Sequence, residues 1–146
     1  MKKIIFATLL LFVTVMTSMA GNSREVDART IASFEKDYPG ARNTVWQKGT
    51  DFAKVSFELN GNILFAYYSA DGSLIATTRN LVTSQLPIRL FAELKKEYAS
   101  YWVTDLFEVN ADNTSEYYIT LESSNETRIM RSSETGWELF EGKKRN

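Results

Sequence analysis

The chain contains no histidine and no cysteine among its 146 residues. That removes Ser-His-Asp and Cys-His nucleophile systems, thiolate metal sites and histidine-ligated zinc. There is no glycine-rich phosphate loop and no GxGxxG. What remains is carboxylate chemistry, such as the paired acid and base of a glycosidase. The candidates are Glu58, Asp71, Asp105, Glu108 and Glu122. Each falls beside a turn or on an alternating polar face, where a carboxylate is by default solvated. The stretch Asn110 to Glu116, "NADNTSE", lacks the spacing and the terminal bidentate glutamate of an EF-hand, and reads as a polar hairpin loop. The residues point away from catalysis and imply neither cofactor nor metal.

Aromatic residues, 13% of the chain, are the stronger signal. Trp46, Phe65, Tyr67, Trp102, Tyr118 and Trp137 all fall in predicted strands. Their ordinary use is packing, because strands favour rings and large rings sit mainly in cores. Their functional use is anchoring a partner, since tyrosine and tryptophan carry much of the energy of protein interfaces. Phe65, Tyr67, Tyr118 and Trp102 are the candidate binding residues, with Lys54, joined by Glu58, as polar rim.

The elements that position these residues follow from periodicity. Ile31, Phe34 and Tyr38 recur at helical spacing in Asp27 to Tyr38, with Asp27 as N-cap and Pro39-Gly40 as a stop. A second helix runs from Pro87 to Tyr98, with Leu90, Phe91, Leu94 and Tyr98 on one face and Pro87 in its first turn. Each helix precedes four short alternating segments. They are 43–47, 53–59, 62–69 and 73–78 in the first half, and 102–109, 116–122, 127–132 and 137–141 in the second. The halves overlay: "FEKDYPGA" on "LKKEYASY", "VSFELNG" on "YITLESS", and "YYSADGSLI" on "RSSETGWEL". The expected fold is α+β, a tandem repeat of a helix plus about four antiparallel strands. The first repeat spans 26–82 and the second 83–141, between a short linker at 21–25 and a charged tail at 142–146.

One turn sets the geometry. Asn60-Gly61 is a two-residue hairpin signal, because both positions of a type I′ turn need positive φ. It places Glu58 opposite Ile63, Ser56 opposite Phe65 and Lys54 opposite Tyr67. Cross-strand partners share a face, so Val55, Phe57 and Leu59 lie with Ala66, Leu64 and Asn62. If that set faces the helices, Ile63, Phe65 and Tyr67 point the other way. Beyond Ser69 the register stays open, since Asp71-Gly72 suits a two-residue loop or a three-residue loop with a bulge.

The N-terminus reads as an export signal. Lys2 and Lys3 precede an apolar run from Ile4 to Met16, and Ser18-Met19-Ala20 offers small residues for cleavage after Ala20. The run is short for a stable membrane span, and no cysteine follows it to carry a lipid. Residues 1–20 are the expected signal peptide, and the mature chain is expected in the periplasm or outside the cell. Losing two lysines leaves 15 basic residues against 18 acidic, a net charge of −3. A mildly acidic chain with interspersed signs suits neither nucleic acid nor an anionic membrane. Without disulfides, a mature chain of about 125 residues must rely on a packed core, and it is long enough to form one.

In order, a signal segment, a helix ending "YPGA", then "VWQKGTDFAKVSFELNG", "AYYSADGSLIATTR", "LP" opening a second helix and a closing "YYITLE" strand resemble the PepSY-like family. These are secreted or periplasmic domains of Gram-negative bacteria, often described as beta-lactamase-inhibitor-like. The resemblance covers nearly all of the mature chain. It implies one curved antiparallel sheet with helices packed on one face, and a protein partner gripped by the open face. This chain departs from the disulfide-bearing inhibitor in having no cysteine at all. Two functions are therefore expected as alternatives. One is an inhibitor-like, non-catalytic domain recognising a protein or peptide through the aromatic sheet face, where a homodimer is a further possible arrangement. The other is a binder of a small ligand or envelope component in a cleft between sheet and helices.

Overall fold

The computed structural model describes residues 25–144. The expected signal segment lies outside them. Among the described residues two ten-residue helices are each followed by four strands. Helix α1 (Ala28–Asp37) is followed by β1 (Arg42–Lys48), β2 (Phe52–Leu59), β3 (Asn62–Ser69) and β4 (Leu74–Asn80). A 3-10 turn, Thr83–Gln85, leads into α2 (Ile88–Glu97). Then come β5 (Trp102–Ala111), β6 (Thr114–Glu122), β7 (Glu126–Ser132) and β8 (Trp137–Lys144). The strands form one antiparallel sheet in the order β1-β2-β3-β4-β5-β6-β7-β8.

Local chemistry explains the boundaries. The Asp27 carboxylate accepts from the Arg29 N–H at 2.8 Å, capping α1. Pro87 stands at the N-cap of α2, one position before the expected first turn. Asn60 and Gly61 adopt φ of 51° and 77°, and the β2–β3 register pairs Glu58 with Ile63, Ser56 with Phe65 and Lys54 with Tyr67. The next turn resolves the open alternative. Ser69 N–H donates to Ser73 O at 2.9 Å around the loop Ala70-Asp71-Gly72, and a bulge follows between Tyr67 and Tyr68. Asn110 to Glu116 is tighter than expected: both strands run into it, and only Asp112 and Asn113 turn, with φ of 49° and 62°.

Both helices cover the same sheet face. Phe34 of α1 sits edge-on to Trp46, Phe57 and Tyr68, with ring centroids 5.4, 5.0 and 6.4 Å away. Val55, Ala53 and Ala66 complete that core. Edge-to-face pairs of this kind add about 0.5–1.5 kcal/mol each beyond the area they bury. Leu90 and Leu94 of α2 pack on Leu106, Ile119, Leu121, Met130 and Trp137. The Trp137 indole N–H is satisfied by Leu90 O at 3.0 Å.

Between the two cores the helix-facing side turns polar. The Arg79 guanidinium meets the Glu108 carboxylate at 2.6 Å, and Tyr117 donates to the other Glu108 oxygen at 3.2 Å. Glu108 is 6% exposed, so the solvated carboxylate expected there is instead a buried, paired one. The pair spans the β4–β5 boundary, where Arg79 lies directly opposite Glu108.

Each helix is also clasped by a hairpin turn. Gly72 lies against the backbone of Arg29 and Thr30 and the side chain of Ser33. Gly136 lies against Glu93, whose carboxylate accepts from the Trp137 N–H at 3.1 Å. Arg89 reinforces the second clasp by donating to Glu134 O at 2.7 Å and Ser133 O at 3.0 Å. A Cβ on Gly136, at φ 140°, would stand 2.1 Å from a Glu93 carboxylate oxygen, whereas a Cβ on Gly61 meets nothing within 4 Å. Gly136→Ala is therefore expected to cost about 2–3 kcal/mol, and Gly61→Ala about 1 kcal/mol of backbone strain. Urea unfolding of both variants checks the difference, and equal losses would mean that the clasp contributes nothing.

Candidate functional site

The helix-free face is built by the alternate residues of every strand. Its rows follow the register. One runs Ser56, Phe65, Thr78, Val109 and Glu116, and the next runs Asn80, Phe107, Tyr118, Arg131 and Glu138. Beyond them, Asp105 pairs with Thr120 and Trp102 with Glu122. All five candidate residues, Lys54, Phe65, Tyr67, Trp102 and Tyr118, thus belong to this one face. The orientation expected from the Asn60-Gly61 turn holds. Leu64, Ala66 and Tyr68 lie in or against the α1 core, and Ile63, Phe65 and Tyr67 lie on the other side.

They do not form one patch. Lys54 Nζ stands over the Phe65 ring at 4.6 Å and the Tyr67 ring at 5.6 Å. Phe52 flanks Tyr67 with ring centroids 6.1 Å apart. Tyr118 belongs to a separate group. It stacks on Phe107 at 5.5 Å, takes the edge of Phe140 at 5.6 Å and donates to Glu116 at 2.9 Å. Tyr67 and Tyr118 are only 4% and 2% exposed, so this face carries a small core of its own, centred on Ala76, Phe107, Val109 and Tyr118. The accessible apolar surface is elsewhere. Ile63 is 67% exposed and Trp102 65%, with Phe65 half-buried beside Ile63. Trp46 and Trp137, by contrast, are core residues on the helix side.

Burial shapes the electrostatics. Desolvation pulls the Lys54 ammonium below its ordinary pKa, because no carboxylate offsets the loss of water. It pushes the Asp105 carboxyl up, partly countered by the Leu106 N–H. By register the β1–β4 half of the face carries Arg42, Lys54 and Glu58, a net charge of +1. The β5–β8 half carries Asp105, Glu116, Glu122, Glu138 and Glu141 against Arg131 and Lys143, a net charge of −3. Arg131 is already committed to Glu138.

The other candidate carboxylates are scattered. Glu58 accepts from the Asn43 amide at 3.0 Å, and Asp71 holds its own turn by accepting from Ser69 and from the Ser73 N–H. Among the described residues no three acidic side chains gather closely enough to hold a metal ion. A separate half-open cleft of about 290 Å³ lies between the end of α1 and β1, lined by Phe34, Glu35, Tyr38, Gly40, Thr44 and Trp46. Its place at one edge of the sheet differs from the expected cleft between sheet and both helices. Among the described residues no helix is long and apolar enough to cross a membrane.

The buried tyrosines give the face a pH signature. Burial and the Glu116 hydrogen bond push the Tyr118 phenol well up, and burial with the Asp37 hydrogen bond does the same for Tyr68 on the helix side. The folded state keeps both neutral. Their contribution is therefore complete below the ordinary pKa of about 10 and is lost as pH climbs above it. Unfolding free energy should fall with pH above about 10, each tyrosine adding a slope of up to about 1.4 kcal/mol per unit. Tyr118→Phe should flatten that slope; an unchanged slope would show that Tyr118 ionises in place.

Comparison with solved structures finds the same architecture. A BLIP-like protein from Bacteroides fragilis superposes with a TM-score of 0.71 at 19% identity, covering 82% of this chain and 86% of the other. A DUF2874 family protein from Bacteroides ovatus gives a TM-score of 0.73 at 17% identity, over 85% and 89% of the two chains. A candidate periplasmic protein from Bacteroides eggerthii gives 0.70 at 14% identity, over 82% and 88%. No protein-family model matches the chain, and no curated protein matches it. At these identities the likeness is one of fold: an open eight-stranded antiparallel sheet with two helices, shared with BLIP-like and DUF2874 proteins.

Proposed function

We propose that this chain is a non-catalytic, inhibitor-like binding domain of the bacterial envelope, recognising a protein or peptide through the helix-free face of its sheet. The observation that carries the reading is the asymmetry of the sheet. One face is closed by two helices, while the other presents Ile63 to solvent near half-buried Phe65 and Lys54, and Trp102 separately at the start of β5. Large apolar side chains left exposed on a face that no helix covers are available to a partner, and tryptophan is a frequent anchor. The description of the Bacteroides fragilis neighbour as BLIP-like supports an inhibitor-like role, and the candidate periplasmic neighbour supports an envelope location. The two hairpin turns clasping α1 and α2 in the same manner support reading the chain as two copies of one unit. Lys54, Phe65 and Trp102 would contact the partner directly, while Tyr67 and Tyr118, being buried, would hold the face in shape.

Ile63→Asp with Trp102→Asp removes the exposed anchors without touching the core. Capture from an envelope extract should lose its partner by more than tenfold in that variant. Ile88→Asp, at an 86% exposed position on α2, should keep it. Equal recovery by both variants would remove the sheet face from consideration. A second reading, a small ligand or envelope component, has a seat in the cleft beside α1. Occupancy there should change the fluorescence of Trp46, measured in a variant whose other two tryptophans are phenylalanine; no change across envelope metabolite fractions would dismiss it.

A further inference from the structure

The charge on the open face is divided, and the division says what kind of partner it fits. We infer that the occupant is a basic peptide or protein segment, setting an arginine or lysine against Trp102 and the carboxylates of β5 and β6, with an apolar residue further along the segment on Ile63. This rests on the face reading above and narrows it. Trp102 stands opposite Glu122, and Asp105 lies in the next row of the same face, so an exposed indole ring and two carboxylates share one end of the sheet. A cation there is attracted to the ring face and to the acids together. The partly dry setting of Asp105 strengthens the attraction, because a carboxylate short of water gains more from an arriving cation.

The distribution separates this occupant from others. The net −3 of the β5–β8 half repels nucleic acid and anionic lipid. A second copy of the chain would bring another face of net charge −2 against the first, a poorer match than a basic segment. Lys54 and Arg42 on the other half would orient the segment, keeping its basic end over β5 and β6.

The test is selection from a displayed library of random dodecapeptides on the exported chain, with binding constants then measured for the enriched sequences. Arginine or lysine, with an apolar residue elsewhere in the same peptide, should dominate. Affinity should fall at least tenfold in Trp102→Ala, in Asp105→Lys and on raising salt, and Glu134→Lys in the β7–β8 turn should leave it unchanged. Asp105→Asn serves as a milder variant if the lysine disturbs folding. Enriched peptides that need Ile63 but ignore salt and both Asp105 variants would overturn the basic partner while keeping the face. Peptides indifferent to Ile63→Asp, or no enrichment at all, would overturn both. A chain found dimeric, and made monomeric by Ile63→Asp, would assign the face to a second copy instead.

Discussion

The sheet is too wide for the helices that accompany it. Eight strands span about 34 Å from edge to edge, and each ten-residue helix is about 15 Å long. Two such helices can close one face and no more. Everything else follows from that imbalance. The closed face takes two aromatic and aliphatic cores, one under each helix, and the open face must protect its backbone with side chains alone. It does so by crowding rings. Phe107, Tyr118 and Phe140 cover one another in the second half, and Phe52, Lys54 and Tyr67 do so in the first. A face built in this way is a core with one wall missing, and the side chains left at its margin are the ones free to meet something else.

Much of this was legible in the sequence where local chemistry decides. The alternation of Val55, Phe57 and Leu59 with the Asn60-Gly61 corner fixed both the register of the first hairpin and which residues turn away from the helices. Glu108 was not legible. In the run Leu106-Phe107-Glu108-Val109 apolar residues occupy both parities, so alternation cannot say which face is inner. The answer depends on Arg79, a partner 29 residues away. Trp102 stood out as a candidate, but its face was hidden in another way. A register shift between Val103 and Asp105 resets the alternation, and nothing in the strand marks it. The burial of Tyr67 and Tyr118 also came from neighbours on other strands, which alternation within one strand does not reveal.

The partition of roles on the open face is therefore physical. A residue at 2–4% exposure has no area left to give a partner, however favourable its type. Its value lies in fixing the pleat on which its neighbours stand. Exposed residues at the margin have area but little support, and they depend on that fixed pleat for their direction. Phe65, half-buried beside Lys54, combines some of each condition.

The strand order has a consequence for how the molecule assembles. Six of its seven strand pairings are closed by short hairpin turns, so each can zip from its own corner as the chain lengthens. The exception is β4 with β5, separated by the 3-10 turn and α2, and here Arg79 and Glu108 meet. The Glu108 carboxylate is costly to take out of water until the Arg79 guanidinium meets it. Of the seven pairings this is the one with the longest stretch of chain to close, so it carries the largest loop-closure cost in the sheet.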